Sequence, residues 1–510
     1  MTEHDEQPDP KDPPSSAPGG DDGDGGDDEG DDGGPEGSEV SADSGGGPAP
    51  SGAPGGQPGQ FGQQPGAGGR KRRRRRRRKG NPVQFTPEGQ AFRTVTQPDG
   101  VQSQVFLTPQ EVEQYKQRIA QQQVQQQQQQ QQQQPRPAGQ PAPAAAVQTV
   151  EGVLDTEVKG PNAYLRQLKR SLLASPEDPE IPKNLVQKLR LRTGQFLSAQ
   201  AQMRGQKGFI QRVDTVDGMP VEQASRLPHF QDLTSIDPVE RIKLEHVHNE
   251  HVTRVLDLIA PLGKGQRMLI TAPPKTGKTI MLQRIAQAVA ANHPEIHIMV
   301  VLIDERPEEV TDMKRNIKGE ILASSSDRPT PDHLRIAELS LERARRLVES
   351  GKDVLILLDS ITRLARAFNK EIESSGRTMS GGVDSRALER PKRLFGAARA
   401  TEEAGSLTII GTALIDTGSR MDEVIFEEFK GTGNSEVTLD RLLAEKRIWP
   451  AVNIAQSGTR KEEKLFTMKE YEKVKKLRQM LFSVKPVEAM EALVKRLGRF
   501  TYNDEFLDEL

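Results

Sequence analysis

Cysteine is absent from this 510-residue chain, and aromatic side chains make up only 4% of it, with a single tryptophan. Without thiols the protein can form neither disulfides nor thiolate metal sites, which excludes cysteine redox chemistry and fits a reducing compartment. No apolar run reaches the roughly 18–20 residues that a membrane-spanning helix needs, and the first ten residues lack the features of a signal peptide. We therefore expect a soluble, cytoplasmic protein.

Apolar residues are also scarce in the first third of the chain. Residues 1–69 consist mainly of Gly, Pro, Asp, Ser and Gln, so burial cannot offset the cost of ordering the backbone, roughly 1–2 kcal/mol per residue. A short helix capped by Thr108 and a glutamine tract, Gln125–Gln134, follow further along. The sequence predicts a disordered low-complexity region over residues 1–149.

Charge is strongly segregated although the formal net charge is only -2. Residues 1–50 contain 16 acidic side chains against the single Lys11, whereas Arg70–Lys79 is an unbroken cationic run. Such a run binds polyphosphate without reading its sequence, or it is a solvated linker. The acidic stretch 21–32 can compete for it within the same chain. The glutamine tract is compatible with condensate formation or with no role.

Two folded regions are predicted after the low-complexity region. Residues 150–238 are interpreted as a small β-rich domain, in which GVLDTEV forms a strand, NAYLRQLKRSLLAS a short helix and KLRLRTGQFLSAQAQ a strand with a glycine turn. Residues 239–510 alternate apolar strands with amphipathic helices and end in a helical tail. This alternation predicts an α/β domain with a parallel sheet covered on both faces.

A phosphate-binding loop follows the first apolar strand of the α/β region. The stretch APPKTGKT, from Ala272 to Thr279, fits the Walker A pattern with alanine in the first glycine position. Its backbone N–H groups and the following helix N-terminus hold phosphates, Lys278 neutralises the terminal ones, and the Thr279 hydroxyl binds Mg²⁺. Asp359 ends another apolar strand and can hold the same Mg²⁺. Glu305 is a candidate general base, or only a salt-bridge partner, and Arg306 beside it can sense the terminal phosphate.

Several motifs together resemble the Rho family of transcription termination factors, which are ring-shaped RNA-dependent ATPases. The resemblance runs from about His251 to the C-terminus, and the motifs are APPKTGKT, VLIDERPEEVT, LLDSITRLARAFN, GGVDSRALERPKRLFGAARA, TALIDTGSRMDEVIFEEFKGTGN and SGTRKEE. It implies a RecA-like P-loop ATPase core preceded by an OB-like RNA-binding domain. It also implies a homohexamer that uses ATP and Mg²⁺, moves 5′-to-3′ on RNA as an RNA–DNA helicase, and acts on the RNA polymerase elongation complex.

The resemblance also assigns roles to residues of the nucleotide site. Glu305 would be the catalytic carboxylate, Asp359 the Mg²⁺ ligand, and Arg460 an arginine finger in the neighbouring subunit's site, with Arg447 assisting. Trp449 would stack on adenine, although core packing is the alternative for a lone tryptophan. The residues implied to contact ATP are Gly263, Lys264, Gly265, Gln266, Arg267, Met268, Lys275, Thr276, Gly277, Lys278, Thr279, Ile280 and Arg306.

RNA contacts are expected in two loops of the α/β domain and on the β-rich domain. The loops span Glu373–Gly382 and Asp416–Asp422, and either could instead be an exposed turn. On the β-rich domain, Tyr164 is the aromatic that the resemblance places against a base, while Pro182 stands where the family has an aromatic, so a preference for C-rich RNA does not follow. The candidate RNA-binding residues are Arg377, Gly381, Gly382, Thr417, Gly418, Ser419, Arg420 and Tyr164.

Two other classes of function are alternatives to an RNA-driven ATPase. A nucleic-acid-binding or condensate scaffold fits the low-complexity third of the chain, but the presence of Glu305, Asp359 and Arg460 argues against it. A subunit of a rotary ATP synthase would share the sheet and the P-loop. The two loop segments and the absence of the glycine-rich form GGAGVGKT argue against that class.

Overall fold

The computed structural model describes residues 84–86, 90–96, 102–113, 147–372 and 379–510. The chain divides into two compact units, Met1–Pro135 and Arg136–Leu510. The predicted acidic tail, arginine run and glutamine tract lie outside the described residues. No helix in the described ranges is both long and apolar enough to cross a membrane.

The first unit contains a small antiparallel sheet that the sequence analysis did not predict. The β-branched residues of AFRTVT favour extended backbone, and the Phe92 and Phe106 rings pack with centroids 6.1 Å apart across two strands. Thr108 donates to Glu111 at 2.9 Å where the expected helix begins. The elements are β1 (Gln84–Phe85), β2 (Ala91–Thr96), β3 (Gln102–Phe106) and α1 (residues 109–113).

The second unit begins with a small barrel. Its strands run in the order β6, β5, β4, β7, β8, β9, and a further pairing of β6 with β8 closes the sheet, as in an OB-like fold. Alternate side chains such as Ala163, Leu165, Leu197 and Ala199 fill the interior. The elements are β4 (Val147–Asp155), β5 (Asn162–Arg166), β6 (Glu180–Pro182), α2 (Lys183–Lys188), β7 (Phe196–Arg204), β8 (Lys207–Val216), β9 (Met219–Pro220) and α3 (Val221–Ala224).

The barrel corrects one prediction of local structure. The segment NAYLRQLKRSLLAS, predicted as a short helix, forms strand β5 followed by a 3₁₀ turn at Leu168–Arg170. Ala163 and Leu165 are fully buried on one face, a period of two, and β5 pairs with β4 on one side and β6 on the other. Tertiary pairing therefore overrides the helical propensity of the leucines and arginines.

The α/β domain is built on a mixed sheet whose central strands are parallel, as predicted. Its main path is β15, β14, β16, β18, β13, β19, β20, and β17 joins β18 to β10. Since β10 belongs to this sheet, the domain begins before the predicted boundary at residue 239. The strands are β10 (Ser235–Ile236), β11 (Arg241–Ile242), β12 (Leu262–Gly263), β13 (Arg267–Ala272), β14 (His297–Glu305), β15 (Glu320–Ser325), β16 (Val354–Asp359), β17 (Arg399–Thr401), β18 (Ser406–Leu414), β19 (Ser435–Thr438) and β20 (Gly458–Thr459).

Helices cover both faces of this sheet. Val300 and Leu302 of β14 face one apolar layer, and Val301 and Ile303 face the other, so the strand is buried on both sides. The helices are α4 (His251–Ile259), α5 (Lys278–Asn292), α6 (Pro307–Asn316), α7 (Thr330–Glu349), α8 (Ile361–Glu371), α9 (Glu389–Phe395), α10 (Arg420–Lys430), α11 (Arg441–Glu445), α12 (Met468–Phe482), α13 (Pro486–Leu497) and α14 (Asn503–Asp508).

Candidate active site

Three of the predicted catalytic residues, Lys278, Glu305 and Asp359, meet at one edge of the α/β sheet. Strands β13, β14, β16 and β18 are parallel, so their carboxyl ends lie together and the loops after them share one crevice. β13 leads into the P-loop, β14 ends at Glu305 and β16 ends at Asp359. The structure therefore places the three predicted elements of the nucleotide site side by side.

The P-loop has a backbone that requires glycine at position 277. Gly277 adopts φ 86°, and a Cβ atom built there would lie 2.8 Å from the ring of Trp449. The Thr276 hydroxyl donates to the Pro273 carbonyl at 2.7 Å and closes the loop. Helix α5 begins immediately afterwards at Lys278. The loop thus directs its N–H groups and a helix N-terminus into the crevice, which is an anion-binding arrangement.

Lys278 and two buried carboxylates form the centre of the crevice. Its Nζ atom lies 2.5 Å from Asp359 Oδ1 and 3.3 Å from Glu305 Oε1, and the two acidic residues are only 1% and 2% exposed. The Thr412 hydroxyl, from β18, donates to Asp359 Oδ1 at 2.8 Å. Because the site is shielded from water, these charges interact more strongly than they would at the surface.

The same geometry shifts the pKa values of Glu305 and Lys278. Burial and the Asp359 carboxylate raise the pKa of Glu305 to about 7, against the opposing effect of the Lys278 and Arg363 cations. Burial lowers the pKa of Lys278, but the Asp359 and Glu305 carboxylates outweigh it, so the net shift is upward and the amine stays charged. A carboxylate that titrates near neutral pH is suited to accept a proton from water.

Two further residues hold Glu305, and the sequence analysis missed both. Asp304 has φ 58°, a conformation that costs a non-glycine residue about 1–3 kcal/mol, and the β14–β15 register shifts there between Ile303 and Glu305. Arg363 donates to the Asp304 carbonyl at 2.7 Å, and its Nε lies 3.2 Å from Glu305 Oε1. A sequence signal existed, since Arg363 lies in the first turn of α8, directly after Asp359.

A partly apolar cavity of about 260 Å³ adjoins the P-loop. Val252, Gly277, Ile280, Trp449 and Pro450 contribute to its wall. The indole of Trp449 is 41% exposed, so it is not a core residue. A flat aromatic ring beside a phosphate-binding loop is suited to stacking on a heterocyclic base.

The segment Gly263–Met268, also expected to contact ATP, lies at the other end of β13 from Lys275–Ile280. It enters β13 at the amino end, and the six residues of that strand span about 20 Å at roughly 3.3 Å each. Lys264 pairs there with Asp353 at 2.8 Å. Gln266 donates to Asn434 Oδ1, also at 2.8 Å. These contacts brace the start of the strand, so the segment does not reach the crevice of its own subunit.

The three predicted arginines occupy different places. Arg306 follows Glu305 with its side chain 68% exposed and 3.7 Å from Glu309. Arg447 lies after α11, two residues before Trp449 and at the P-loop edge of β19. Arg460 follows β20, whose Thr459 pairs with Ser435 at the opposite edge. Within one subunit, Arg447 and Arg460 therefore lie at opposite ends of β19.

The two loops predicted to contact RNA adjoin each other. Gly381 has φ 74°, and a Cβ atom there would lie 2.7 Å from the Arg420 carbonyl oxygen, so the loops touch through backbone. Thr417 donates to Asp422 at 2.6 Å, and the Arg366 Nε of α8 donates to the same carboxylate at 2.7 Å. Arg420 is exposed at the start of α10. The predicted contact Arg377 lies outside the described residues.

The barrel presents a second aromatic ring that the sequence analysis missed. Tyr164 pairs with Glu180 across β5 and β6, and Glu180 pairs with Phe209 across β6 and β8, so the three side chains share one face. Lys207 Nζ lies 5.6 Å from the Tyr164 ring centroid, and the Arg204 guanidinium lies 4.8 Å from that of Phe209. Half-buried rings edged by cations are typical of surfaces that bind single strands. The alternation of residues in KGFIQ, which is typical of a strand, was the sequence signal for a half-buried ring at Phe209.

Comparison with known proteins identifies the family. The transcription termination factor Rho of Chromobacterium violaceum is 49% identical over 366 residues, which span 71% of this chain and 87% of that protein. That of Aquifex aeolicus is 50% identical, over 70% of this chain and 84% of its own. The chain belongs to the Rho family of transcription termination factors. Rho of Streptomyces lividans is 51% identical, and the match spans 71% of this chain and 51% of that longer relative.

The nucleotide site of this Rho-family chain also matches a broader family. A family model described as "ATP synthase alpha/beta family, nucleotide-binding domain" matches residues 252–459, which include the P-loop, Glu305 and Asp359. The chain is therefore an ATP-hydrolysing enzyme, and residues 252–459 are similar to the nucleotide-binding domain of that family. Among solved structures, an ATPase of a bacterial type III secretion system is 22% identical, with a TM-score of 0.46 over 54% of this chain and 85% of its own.

Trp449→Ala is expected to raise KM for ATP about 5- to 150-fold. Stacking of an aromatic ring on a base contributes about 1–3 kcal/mol, and every 1.4 kcal/mol is tenfold in affinity. Trp449→Phe keeps a ring against Gly277 and is the matched control, expected to stay within a few-fold of the parent. Steady-state ATP hydrolysis measures both. An unchanged KM for Trp449→Ala would show that the indole does not contact the nucleotide.

Proposed function

We propose that this protein is an ATP-driven RNA translocase and 5′-to-3′ RNA–DNA helicase that terminates transcription by releasing nascent RNA from RNA polymerase. One observation carries the proposal: α8 begins beside Asp359 in the nucleotide crevice and runs towards the paired loops at Gly381 and Arg420. Midway along it, Arg366 holds Asp422 behind these loops. A change at the phosphates therefore has a short, rigid path to the proposed RNA contacts.

The crevice supplies the groups that ATP hydrolysis needs. Lys278 neutralises the terminal phosphates, and Glu305 orients a water molecule and accepts its proton. The Thr279 hydroxyl and the Asp359 carboxylate would hold Mg²⁺, which spreads phosphate charge when bound. This donor set suits Mg²⁺, which is commonly held by one or two carboxylates together with substrate phosphates. No cluster of three or more metal-ligating side chains occurs in the described part of the chain.

A homohexameric ring in the cytoplasm fits the position of Arg460. This side chain is exposed at the sheet edge opposite its own P-loop, and it makes no ion pair within the described ranges. It is free to enter a neighbouring subunit, where an arginine stabilises charge on the transferring phosphoryl group. The paired RNA loops of each subunit would then line the centre of the ring, where ATP-driven changes move the strand stepwise.

Single-stranded RNA should accelerate ATP hydrolysis, and this experiment tests the proposal. Full-length protein is compared with a chain that begins at Arg136, the start of the second compact unit, at 50 and 200 mM salt. We expect RNA to stimulate both, with stronger salt dependence in the full-length protein because Arg70–Lys79 adds phosphate contacts. If RNA accelerates neither protein, the translocase mechanism is wrong. Equal salt dependence would leave the motor intact but remove the arginine run as a loading site.

Arg420→Ala is expected to raise the RNA concentration for half-maximal stimulation about 10- to 100-fold. Hydrogen bonds to a charged group contribute about 1.5–3 kcal/mol, and this guanidinium is exposed where the two loops meet. Lys430→Ala, at the other end of α10, removes an exposed cation from the same helix and is the control. Titration of ATPase activity with RNA provides the measurement. Equal effects of the two substitutions would contradict a specific RNA contact at Arg420.

A further inference from the structure

Helix α7 contacts the barrel along its whole length. Near its start, Arg335 pairs with Asp155 and, at 2.7 Å, with Glu157 of the barrel. In the middle, Gly194 packs so closely that a Cβ atom there would lie 2.4 Å from the Glu342 backbone. At the end, Glu349 pairs with the barrel's Arg192 at 2.8 Å. These contacts join the barrel to the helix from its first turns to its last.

The barrel end of these contacts reaches the proposed RNA surface. Asp155 also accepts from Arg166 at 2.9 Å, and Arg166 pairs with Asp178 at 2.7 Å. The Arg166 guanidinium lies 5.1 Å from the ring centroid of Tyr164. Asp155 and Asp178 are fully buried, so this network cannot exchange partners with solvent. A base stacked on Tyr164 would act directly on the group that holds Asp155 and, through it, Arg335.

The first turn of the same helix lies against the ends of β14 and β15, beside Glu305. His333 is 6% exposed, and its Nδ1 lies 2.7 Å from the hydroxyl of Ser324 at the end of β15. Its Nε2 lies 4.0 Å from Oδ1 of Asp304. Asp304 is the left-handed residue at the register shift, and it precedes Glu305. The imidazole therefore packs against the one residue whose conformation sets the direction of the catalytic carboxylate.

Asp304 and Glu305 are coupled through Arg363. Its Nη1 lies 2.7 Å from the Asp304 carbonyl and 3.3 Å from Oδ2, while Nε lies 3.2 Å from Glu305 Oε1. Relaxation of Asp304 out of its left-handed conformation would move that carbonyl and carry Arg363 with it. Glu305 would then lose its cationic partner and its position in the crevice. The left-handed conformation of Asp304 is thus the point on the path at which such a change would begin.

We propose that His333 is a positioning residue for Glu305, and that α7 links it to the RNA-binding face of the barrel. RNA on the barrel shifts α7 through Arg166, Asp155 and Arg335. His333 in the first turn then holds Asp304 in its left-handed conformation, and Arg363 holds Glu305 where it can activate water. Hydrolysis thereby becomes sensitive to barrel occupancy as well as to RNA at the paired loops. This inference rests on the proposed function, because it assumes that RNA stimulates the ATPase.

The test measures kcat and KM for ATP of the full-length protein, with and without poly(C) or poly(U) RNA. His333→Ala is expected to lower the RNA-stimulated kcat at least tenfold and to leave KM for ATP within twofold, because the P-loop and Trp449 are untouched. His333→Gln keeps an amide that can bond to Ser324 and should recover at least half of the lost rate. Arg335→Met should reduce the fold-stimulation by RNA severalfold without changing the rate measured without RNA.

Two comparisons separate a specific path from loosened packing. Arg343→Met breaks the pair with Asp217 farther along α7 and should leave RNA stimulation within twofold of the parent. The double variant of His333→Ala and Arg335→Met should be no slower than His333→Ala alone. The inference is wrong if His333→Ala keeps the parental RNA-stimulated kcat. It is also wrong if the two arginine variants lose equal amounts of RNA stimulation, or if the losses add in the double variant. A parent protein that ignores RNA would contradict the proposed function instead.

Discussion

Glu305→Gln is expected to lower the RNA-stimulated rate of ATP hydrolysis by about 10²- to 10⁴-fold, the range for loss of a positioned general base. The amide keeps the size of the side chain but cannot accept a proton from water. Lys278 loses the Glu305 charge at 3.3 Å but retains its closer partner Asp359 at 2.5 Å, so ATP should still bind. The substitution thus separates nucleotide binding from chemistry.

Steady-state hydrolysis and binding of a non-hydrolysable ATP analogue measure these two effects. Glu308→Gln is the matched control, because Glu308 is an exposed carboxylate in the first turn of α6, three residues along the chain. It should retain the parental rate. Hydrolysis by Glu305→Gln at a rate close to that of the parent would remove Glu305 from the mechanism and return it to the alternative of a salt-bridge partner.

The pH profile provides a second test of Glu305. Burial and the Asp359 charge raise its pKa to about 7, so the carboxylate is mostly protonated at pH 6 and mostly ionised at pH 8. Because only the ionised form accepts a proton, kcat/KM for ATP should rise about tenfold over this range and then level off. The residual activity of Glu305→Gln should lack this rise. The same rise in that variant would assign the titration to another group.

The sequence alone located the nucleotide site, because local sequence patterns predict the strands at whose ends its residues lie. A continuous apolar run such as VLILLD predicts a buried parallel strand, and the residues that end such strands must meet at one edge. Asp359, Glu305 and the P-loop were placed in this way, and the structure brings them together.

The remaining errors come from interactions between distant parts of the chain. Nothing near NAYLR indicates that β4 and β6 flank it, so its helical propensity misled the prediction. Arg363 and His333 reach Asp304 from two different helices, and a residue forced into a left-handed conformation leaves no periodic signal. Only the assembled sheet edge reveals these supports.

Arg460→Ala is expected to lower RNA-stimulated hydrolysis by about 10³- to 10⁵-fold, the contribution of an arginine finger to phosphoryl transfer. Its exposed side chain follows β20 at the sheet edge opposite its own P-loop. It therefore cannot act on the nucleotide of its own subunit. Lys461→Ala is the control, because the adjacent ammonium is already paired with Asp237 at 2.8 Å and should contribute little.

Mixed assemblies distinguish a finger supplied by a neighbour from a structural role. Arg460→Ala subunits have complete crevices but no finger, whereas Glu305→Gln subunits have a finger but no base. When the two kinds of subunit are mixed and reassembled, some interfaces join an intact crevice to an intact Arg460. RNA-stimulated hydrolysis should then return to a fraction of the parental rate. A mixture of Lys278→Ala and Glu305→Gln subunits has no intact crevice and should stay inactive. If the first mixture stays as inactive as the second, Arg460 does not act across the interface, and the requirement for a ring loses its chemical basis.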